Sequence, residues 1–323
     1  MLLQIPDWQP QAPLQPMAFD WSEAAAIQLA VLRLDLIDPL LSGNKWFKLR
    51  PHLQAARQAG ARGLISPGGA HSNHLHALAA AGQRFAFPTI GLLRGEPQET
   101  PTVADLQAFG MQLHWLGYGG YRARHQADFA VHWQRRHADF QFVPEGGGGL
   151  LGASGFGSIP SMLASQLGQL GWTDYDGLWL AVGSGTTLAG LVLAEAGRHP
   201  LYGALVVPER YGVAAQVGRL LQEASADDAG YRLLDASRGG YGRIDAELAG
   251  FIRQAERAGP LPLEGCYTGK ALLALRQQVQ AGRFARGTRL VFLHTGGLQG
   301  RRAQQQVLAA PAIIRPSRQS ASR

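Results

Sequence analysis

Cysteine and long apolar segments are nearly absent from the sequence of 323 residues. The single cysteine, Cys266, excludes an intrachain disulfide framework and any zinc site built from several thiolates. No stretch approaches the roughly 18 consecutive apolar residues that a membrane-spanning helix needs. Residues 1–7 (MLLQIPD) lack the basic flank and the apolar stretch of a secretory signal. We therefore expect a cytoplasmic protein without a membrane partner.

Charged residues are also scarce, at 16% of the chain, although basic side chains outnumber acidic ones by 30 to 23. The net charge of +7 can indicate binding to a polyanion. The arginines are scattered, however, and no nucleic-acid-binding motif accompanies them, so we expect no nucleic-acid partner. The charge favours a phosphorylated or carboxylated small molecule instead, or it has no specific role. The densest late group of arginines lies in a polar tail, residues 315–323, for which we predict disorder.

Strand-like and helix-like segments alternate after a Pro-rich start that we predict to be irregular. Apolar segments predict strands at 89–93, 178–182, 205–207 and 290–293. Most segments between the predicted strands have helical periodicity, including one long helix over 121–137. Because such alternation with apolar strands is typical of parallel sheets covered by helices on both faces, we predict an α/β fold.

Two segments divide the chain into halves. We predict that the chain passes from one α/β unit to the other at a turn around Lys45 and again at the glycine run 146–149. We therefore predict two open, twisted, mostly parallel sheets flanked by helices. The small domain would cover residues 48–148, and the large domain would combine residues 1–47 with 149–323. Ligands of such sheets bind beyond the carboxyl ends of the strands, so the loops there are the candidate sites.

The segment 42–45 (SGNK) combines small residues with a lysine at the start of a helical pattern. Glycine relaxes the backbone limits and lets another group approach the main chain closely. A lysine at such a turn, beside Trp46 and Phe47, would be partly desolvated. Desolvation lowers the pKa of the Lys45 amine and makes it a nucleophile. The alternative is a loop lysine in solvent.

A second small-residue segment, 183–190 (GSGTTLAG), follows an apolar strand and opens a helix. Its small residues leave successive N–H groups free to converge on an anion, and the helix N-terminus adds partial positive charge. The hydroxyl groups of Ser184, Thr186 and Thr187 can donate as well. The segment therefore predicts a phosphate site, although it lacks the Gly-Lys-Ser/Thr ending of a nucleotide P-loop. The alternative is a tight strand–helix turn that binds no ligand.

The segment 68–76 (GGAHSNHLH) also joins a predicted strand to a helix. Ser72 and Asn73 are typical N-terminal capping residues, and the free N–H groups beside them can hold a carboxylate. Three histidines within six residues, among them His74, raise the alternative of a metal site. No carboxylate or thiolate completes a ligand set nearby, so we expect no metal.

Two tyrosines, Tyr241 and Tyr267, lie beside glycines in predicted loops, where a phenol suits the wall of a ligand site. The tyrosines join a reactive lysine, a distant phosphate segment and a carboxylate-binding loop, and no metal set accompanies them. This combination suits pyridoxal phosphate as cofactor. Its aldehyde needs a lysine amine, and its phosphate needs an anion site.

Several motifs in combination resemble those of one enzyme family. From about Arg33 to Gly297, the chain resembles the 1-aminocyclopropane-1-carboxylate deaminase and D-cysteine desulfhydrase family of pyridoxal-phosphate enzymes. The resemblance implies the tryptophan synthase β-like architecture, which is fold type II among these enzymes, with the cofactor bound by the large domain. The matching motifs are 42–45 (SGNK), 68–74 (GGAHSNH), 145–157, 183–190, 267–270 (YTGK) and 294–297 (HTGG).

The resemblance implies a role for each candidate residue. Lys45 would carry the cofactor and, once freed by the substrate, act as the general base, while Ser72 and the two phenols would assist proton movement. The remaining positions are Asn73 at the ring hydroxyl, Thr268 at the pyridine nitrogen, Gly183, Ser184, Gly185, Thr186 and Thr187 at the phosphate, Ser72, Asn73 and His74 at the substrate carboxylate, and Tyr241 and Tyr267 beside the substrate. The family analogy also implies a small amino acid as substrate and a homodimer.

Two positions bear on the choice within the family. The deaminase branch typically has glutamate beside the second tyrosine and leucine in the last glycine motif. This chain has Thr268 and Thr295, which is similar to the desulfhydrase branch. A hydroxyl can donate to an unprotonated pyridine nitrogen, which gives a weaker electron sink than a carboxylate does. Such a sink suffices when a β-thiolate leaves readily.

The resemblance therefore implies β-elimination and deamination of a small amino acid, with Thr295 at the substrate. With D-cysteine the products would be a 2-oxo acid, ammonia and sulfide. One alternative is a 1-aminocyclopropane-1-carboxylate deaminase. The other is a protein that binds pyridoxal phosphate with little catalysis.

Overall fold

The computed structural model describes Leu3 and residues 8–309 of the chain. The tail 315–323, for which disorder is predicted, lies outside the described residues, as does most of the segment 1–7. The described residues form two sheets flanked by helices. This arrangement confirms the predicted α/β class.

Strands and helices alternate through most of the described chain. The strands are β1 (Leu14–Met17), β2 (Gln28–Arg33), β3 (Gly63–Gly68), β4 (Thr89–Leu93), β5 (Gln112–Trp115), β6 (Phe140–Phe142), β7 (Gly177–Val182), β8 (Leu201–Leu205), β9 (Tyr231–Asp235) and β10 (Arg289–His294). The helices are α1 (Asp20–Ala24), α2 (Asn44–Gln58), α3 (Asn73–Arg84), α4 (Pro101–Ala108), α5 (Gly117–Arg122), α6 (Phe129–Arg136), α7 (Gly149–Ser154), α8 (Ile159–Ala164), α9 (Thr186–Glu195), α10 (Val213–Glu223), α11 (Ala246–Ala258), α12 (Thr268–Gln280) and α13 (Gln305–Ala309).

The larger sheet has six strands in the order β1-β2-β10-β7-β8-β9. All neighbouring pairs are parallel except β1 and β2, which are antiparallel. Strand β7 is buried along its whole length, as expected for a parallel strand covered on both faces. Its Trp179 is completely buried, and the indole N–H donates to the Ala271 carbonyl oxygen of α12 at 2.9 Å. The sheet is thereby tied to a helix that begins at the candidate site.

The smaller sheet has the order β5-β4-β3-β6, and all of its pairs are parallel. Its strands lie between residues 63 and 142, inside the predicted small domain, whereas the strands of the larger sheet lie outside that domain. Helix α2 begins at Asn44 and runs across the predicted boundary at 47/48. The domain boundaries therefore stay a prediction, although each sheet takes its strands from one side of them.

Three local predictions differ from the structure. The strand predicted at 205–207 is β8, which ends at Leu205, because an apolar pattern does not distinguish a strand from the apolar turn after it. The single helix predicted over 121–137 is broken between α5 and α6 by the 3-10 turn Ala123–His125 and the extended Gln126. The Pro-rich start contains β1, where Pro16 is tolerated because β1 lies at the sheet edge.

Among the residues that the structure describes, none of the helices combines the length and the apolar character needed to span a membrane.

Candidate active site

A cavity of about 570 Å³ lies where segments following strands of both sheets meet. These segments come after β3, β4, β7, β8 and β10, and the carboxyl ends of parallel strands are where α/β folds bind ligands. The predicted site residues that line the cavity are Lys45, Ser72, Asn73, His74, Gly183, Ser184, Gly185, Thr187, Tyr241, Tyr267 and Thr295. Thr186 and Thr268 are buried and do not line it.

Backbone contacts hold the turn before Lys45 on both sides. Gly43 has a φ of 73°, and its N–H donates to the Leu34 carbonyl oxygen at 2.7 Å. A Cβ atom at Gly43 would lie 2.2 Å from the Thr295 carbonyl oxygen, so only glycine fits between the two segments. The Asn44 N–H donates to that oxygen at 3.0 Å. These contacts fix the first turn of α2 and therefore hold Lys45 at the cavity.

The Lys45 amine has the environment that the sequence predicts. Removal from water lowers the pKa of Lys45 to about 8. No carboxylate pairs with the amine among the described residues, so nothing restores its usual pKa. An amine with this pKa is about half unprotonated at pH 8, where a lysine in water would be almost fully protonated. The unprotonated form is a nucleophile and a base.

Sequence analysis does not identify Lys48, which follows Lys45 by three residues and therefore lies on the same face of α2. Its side chain is buried, and Nζ lies 3.4 Å from Ser184 Oγ. Burial and the neighbouring charge of Lys45 lower the pKa of Lys48 well below its usual value. Two lysines that have no acidic partner among the described residues and lie beside hydroxyl groups suit an anion such as a phosphate. The three-residue spacing of two lysines at a helix start is the sequence signal for this site.

The predicted phosphate segment forms a tight turn between β7 and α9. Gly185, the residue before α9, has a φ of 82°. Ser184 Oγ lies 3.4 Å from Thr186 Oγ1. Thr187 Oγ1 accepts a hydrogen bond from Asn44 Nδ2 at 2.9 Å, which connects this turn to the lysine turn. The N-terminal end of a ten-residue helix therefore faces the same cavity as the two lysines.

Ser72 caps helix α3, as predicted, because its Oγ accepts a hydrogen bond from the Leu75 N–H at 3.1 Å. The next residue, Asn73, accepts a hydrogen bond through Oδ1 from Gln299 Nε2. Gln299 also lines the cavity, and no sequence motif identifies it. Because the amide oxygen of Asn73 is engaged, its NH2 group is the part left for a ligand. That group suits an acceptor such as a phenolic oxygen.

His74 contributes an unpaired ring nitrogen to the cavity wall. Its Nε2 lies 2.9 Å from Ser66 Oγ, whereas its buried Nδ1 has no hydrogen-bond partner in the part of the chain that the structure describes. Burial and the nearby charge of Lys45 lower the pKa of His74 well below its usual value, so the ring is neutral. A buried polar atom without a partner at a cavity marks a position for a ligand.

The other histidines of the segment do not complete a metal site. His76 Nε2 contacts Asp105 Oδ2 at 3.1 Å and does not line the cavity. Within Leu3 and residues 8–309, no group of three histidine, cysteine or acidic side chains is arranged to hold a metal ion.

Tyr241 and Tyr267 form a hydrogen-bonded pair at the cavity. The Tyr267 hydroxyl donates to Tyr241 Oη at 3.1 Å, and the ring centroids lie 5.9 Å apart. Gly183 permits the position of Tyr267, because a Cβ atom at Gly183 would lie 3.0 Å from that ring. Burial raises the pKa of both phenols, and the neighbouring phenol adds to the rise for Tyr267. Both phenols are therefore protonated and can donate a proton.

The hydroxyl of Thr268 contacts Glu264 rather than the cavity. Thr268 Oγ1 donates to Glu264 Oε1 at 3.2 Å and accepts from the Glu264 N–H at 3.1 Å. The same carboxylate accepts hydrogen bonds from the N–H groups of residues 266, 267 and 268. A hydroxyl whose proton is held by a carboxylate offers only a lone pair to a pyridine nitrogen. The sequence predicts that the Thr268 hydroxyl donates to that nitrogen, but its proton is already donated to Glu264. No sequence motif identifies Glu264.

The donor set of the cavity fits pyridoxal phosphate. An unpaired amine at Lys45 suits its aldehyde, and Lys48 with the turn before α9 suits its phosphate. The free NH2 group of Asn73 suits its ring hydroxyl. These residues fit three polar groups of the cofactor; its pyridine nitrogen is the fourth.

The family assignment follows from comparison with known sequences. The family described as pyridoxal-phosphate dependent enzyme matches residues 17–296 of this chain. A protein of Pyrococcus horikoshii that carries the provisional name 1-aminocyclopropane-1-carboxylate deaminase is 27% identical over 281 residues, which cover 84% of each chain. A protein of Thermotoga maritima with the same provisional name is 28% identical over 302 residues, which cover 89% of this chain and 94% of the other.

Solved structures share the fold. The crystal structure of an ACC deaminase homologue superimposes with a TM-score of 0.80 at 24% identity and covers 95% of each chain. The processed form of threonine deaminase isoform 2 from Solanum lycopersicum has a TM-score of 0.63 at 14% identity, and the match covers 92% of this chain and 83% of that one. The chain therefore belongs to the family of pyridoxal-phosphate dependent enzymes, and its cofactor is pyridoxal phosphate.

Proposed function

We propose that this enzyme converts a small α-amino acid into a 2-oxo acid and ammonia. The observation that carries the proposal is the Lys45 amine, which has no carboxylate partner among the described residues and a pKa of about 8. It shares its cavity with an anion-binding turn and with a helix N-terminus suited to a carboxylate. These are the elements that a deaminating lyase needs in one place.

Four elements would hold the cofactor. Lys45 would bind it covalently, Lys48 and Ser184 would contact the phosphate, and Asn73 would donate to the ring hydroxyl. Bound pyridoxal phosphate supplies an electron sink for the electron pair left at the substrate α-carbon. The residues of the chain supply the positions and the proton transfers.

Proton transfer falls to Lys45 and the phenol pair. Once the substrate is bound, the Lys45 amine would serve as the base for the α-proton, because its lowered pKa increases the unprotonated fraction. Tyr267 donates to Tyr241 at 3.1 Å, so a proton can move between the phenols toward a leaving group. The N-terminal end of α3, with Ser72 as its cap, would hold the substrate carboxylate.

The first candidate substrate is 1-aminocyclopropane-1-carboxylate. Its support is the provisional deaminase name of relatives that are 26–28% identical to this chain. Opening of the ring and addition of one water would give 2-oxobutanoate and ammonia. This substrate carries no leaving group, so the reaction depends on protonation of a ring carbon, for which the phenol pair is suited.

The second candidate is D-cysteine or another amino acid with a β-leaving group. Its support is the pair Thr268 and Thr295, of which Thr295 lines the cavity. Loss of the α-proton and of the thiol, followed by addition of one water, would give pyruvate, ammonia and hydrogen sulfide. Because the Thr268 hydroxyl already donates to Glu264, its donation to the pyridine nitrogen gives less support. Threonine at position 295 is smaller than leucine and leaves room for a thiol-bearing side chain, which supports this candidate.

The test is a comparison of products from a panel of amino acids. The holoenzyme is incubated with 1-aminocyclopropane-1-carboxylate and with the D- and L-forms of cysteine and β-chloroalanine, and 2-oxo acid and ammonia are measured. We expect equal amounts of both products from at least one substrate, and no product from Lys45→Ala. A holoenzyme that binds its cofactor and forms no 2-oxo acid from any of them would refute the proposal and favour a cofactor-binding protein.

A further inference from the structure

The cavity is lined by more basic side chains than acidic ones. Lys45, Lys48 and Arg94 line it, while Glu145 is the only carboxylate among the described lining residues. Glu145 is already engaged, because Arg124 Nε donates to one of its oxygens at 2.7 Å and the Tyr121 hydroxyl donates to the other at 2.6 Å. The charge of Arg94 is therefore not neutralised within the described residues.

Arg94 lies at the mouth of the cavity beside the predicted carboxylate-binding loop. It directly follows β4, and its N–H donates to the carbonyl oxygen of Gly68, the last residue of β3, at 3.0 Å. The next residue, Gly95, exchanges two backbone hydrogen bonds with Gly117, at 3.3 and 3.2 Å. The backbone of Arg94 is thus fixed on both sides, although its side chain is exposed.

The guanidinium of Arg94 has no hydrogen bond or ion pair with any described residue. It lies over the ring of Tyr118, whose centroid is 5.6 Å from Cζ. Tyr118 is 59% exposed and also lines the cavity. An arginine that rests on an aromatic ring keeps all its N–H donors free, and a planar fork of donors suits a carboxylate or another oxyanion.

The anions of the proposed reaction have other partners. The cofactor phosphate has Lys48 and the turn before α9, and the substrate α-carboxylate has the N-terminal end of α3. Neither requires Arg94. We propose that Arg94 forms a subsite for a second anionic group, so that amino acids with an acidic side chain bind better than neutral ones of the same size. This inference rests on the proposed function, because it assumes an α-amino acid in the cavity.

An acid and its amide provide the matched comparison, because they differ in charge and hardly in size. The holoenzyme is titrated with aspartate and asparagine, and with glutamate and glutamine, in both enantiomeric forms. The dissociation constant is read from the absorbance of the bound cofactor, so no turnover is needed. The variants are Arg94→Gln and a control, Arg122→Gln, because Arg122 on α5 is an exposed arginine that does not line the cavity.

We expect the parent to bind at least one acid about tenfold more tightly than its amide, as a charge-assisted hydrogen bond implies. Arg94→Gln should remove this preference and leave amide binding unchanged, while Arg122→Gln should retain it. Added salt should weaken the preference, because the subsite is exposed.

Three results would overturn the inference. They are a parent without preference for any acid, a preference that survives in Arg94→Gln, and an equal loss of acid and amide binding in that variant. The last result would assign Arg94 to the α-carboxylate or to the cofactor. The outcome is separate from the proposed function, because acids can bind with the expected preference even if no 2-oxo acid is formed.

Discussion

The buried ammonium group of Lys270 donates to the carbonyl oxygen of Gly240 at 2.8 Å. It also donates to the Ser237 carbonyl oxygen at 2.8 Å and lies 3.4 Å from that of Val206. One side chain thus holds both ends of the loop that precedes Tyr241. A lysine buried among carbonyl groups positions this loop, and the loop positions a phenol of the cavity.

The variant Lys270→Met tests this relationship, because methionine keeps much of the side-chain volume and removes the donor. Several carbonyl groups lose their partner, so we expect the free energy of unfolding to fall by about 3 kcal/mol. We also expect kcat to fall several-fold, because the phenol of Tyr241 loses its position. In a Tyr241→Phe background the same substitution should change kcat little further, since the phenol is already gone.

The control for Lys270→Met is Trp179→Phe, which removes another buried hydrogen bond without contact to the loop. It should lower the stability and leave kcat nearly unchanged. If the double variant loses kcat by the product of the two single-variant factors, the substitutions act independently, and Lys270 does not act through Tyr241.

The local chemistry of the site could be predicted from the sequence. Strands such as β4 and β7 are short, mostly apolar segments that are buried along their whole length, and a parallel sheet needs such segments. Gly43 and Gly185 have positive φ angles, which is why glycine occurs there. The segments that follow β2, β7 and β3 are where the sequence predicts the lysine, the anion site and the capping residues.

Contacts between distant segments could not be predicted in the same way. Gln299 reaches Asn73 across more than two hundred residues, and the partners of Lys270 are carbonyl groups, which carry no sequence signal. Glu264 accepts a hydrogen bond from Thr268, which is only four residues away. That contact forms because both side chains are buried at the N-terminal end of α12, and the spacing alone does not show it. Such contacts depend on how the two halves of the chain meet, and residue spacing does not encode that.

Acid should weaken a buried ion cluster beneath the lysine turn. Asp35 contacts Arg33 at 2.6 Å and His294 at 3.0 Å, and its side chain is inaccessible. Burial alone would raise the pKa of Asp35, but the hydrogen bonds from Arg33 and His294 outweigh it and hold the pKa at about 2. Because this lies below the usual 3.8, the carboxylate stabilises the fold above pH 3.8, and its contribution is lost as the pH falls toward 2.

The contribution of Asp35 corresponds to about 2 kcal/mol. It can be followed by urea unfolding between pH 2 and 7. Asp35→Asn should cost about 3–5 kcal/mol at neutral pH, because a buried cation loses its partner, and less in acid. The comparison is Asp139→Asn, whose exposed pair with Arg62 is worth at most about 1 kcal/mol. Equal losses in the two variants would contradict this account.

A side chain at Gly185 should reduce cofactor affinity. A Cβ atom there would lie 2.7 Å from Val217 Cγ2, so Gly185→Ala must push the turn before α9 away from α10. Gly197 is a matched control, because it has a similar φ of 78° but open space around a Cβ atom. Both variants should lose about 1 kcal/mol of stability from backbone strain. Only Gly185→Ala should bind pyridoxal phosphate at least tenfold more weakly; equal affinities would argue against a phosphate at this turn.

Covalent capture of pyridoxal phosphate by the apoprotein should depend on the pKa of Lys45. Because burial lowers that pKa to about 8, the reactive amine should accumulate as the pH rises toward 8, and the capture rate should level off above it. At pH 6 the rate should be roughly a hundredfold below the plateau, since each pH unit below the pKa reduces the free amine tenfold. A solvent-exposed lysine would show no plateau until its usual pKa of 10.5.

Rates are measured by stopping the reaction with borohydride, and peptide mapping locates the fixed cofactor. Lys45→Ala should retain no label. Lys48→Met should keep the label on Lys45 but need more pyridoxal phosphate, because we propose that Lys48, whose Nζ lies 3.4 Å from Ser184 Oγ, contacts the phosphate and not the aldehyde. A plateau well above pH 9, or a label on another lysine in the parent, would rule out Lys45 as the desolvated amine of this site.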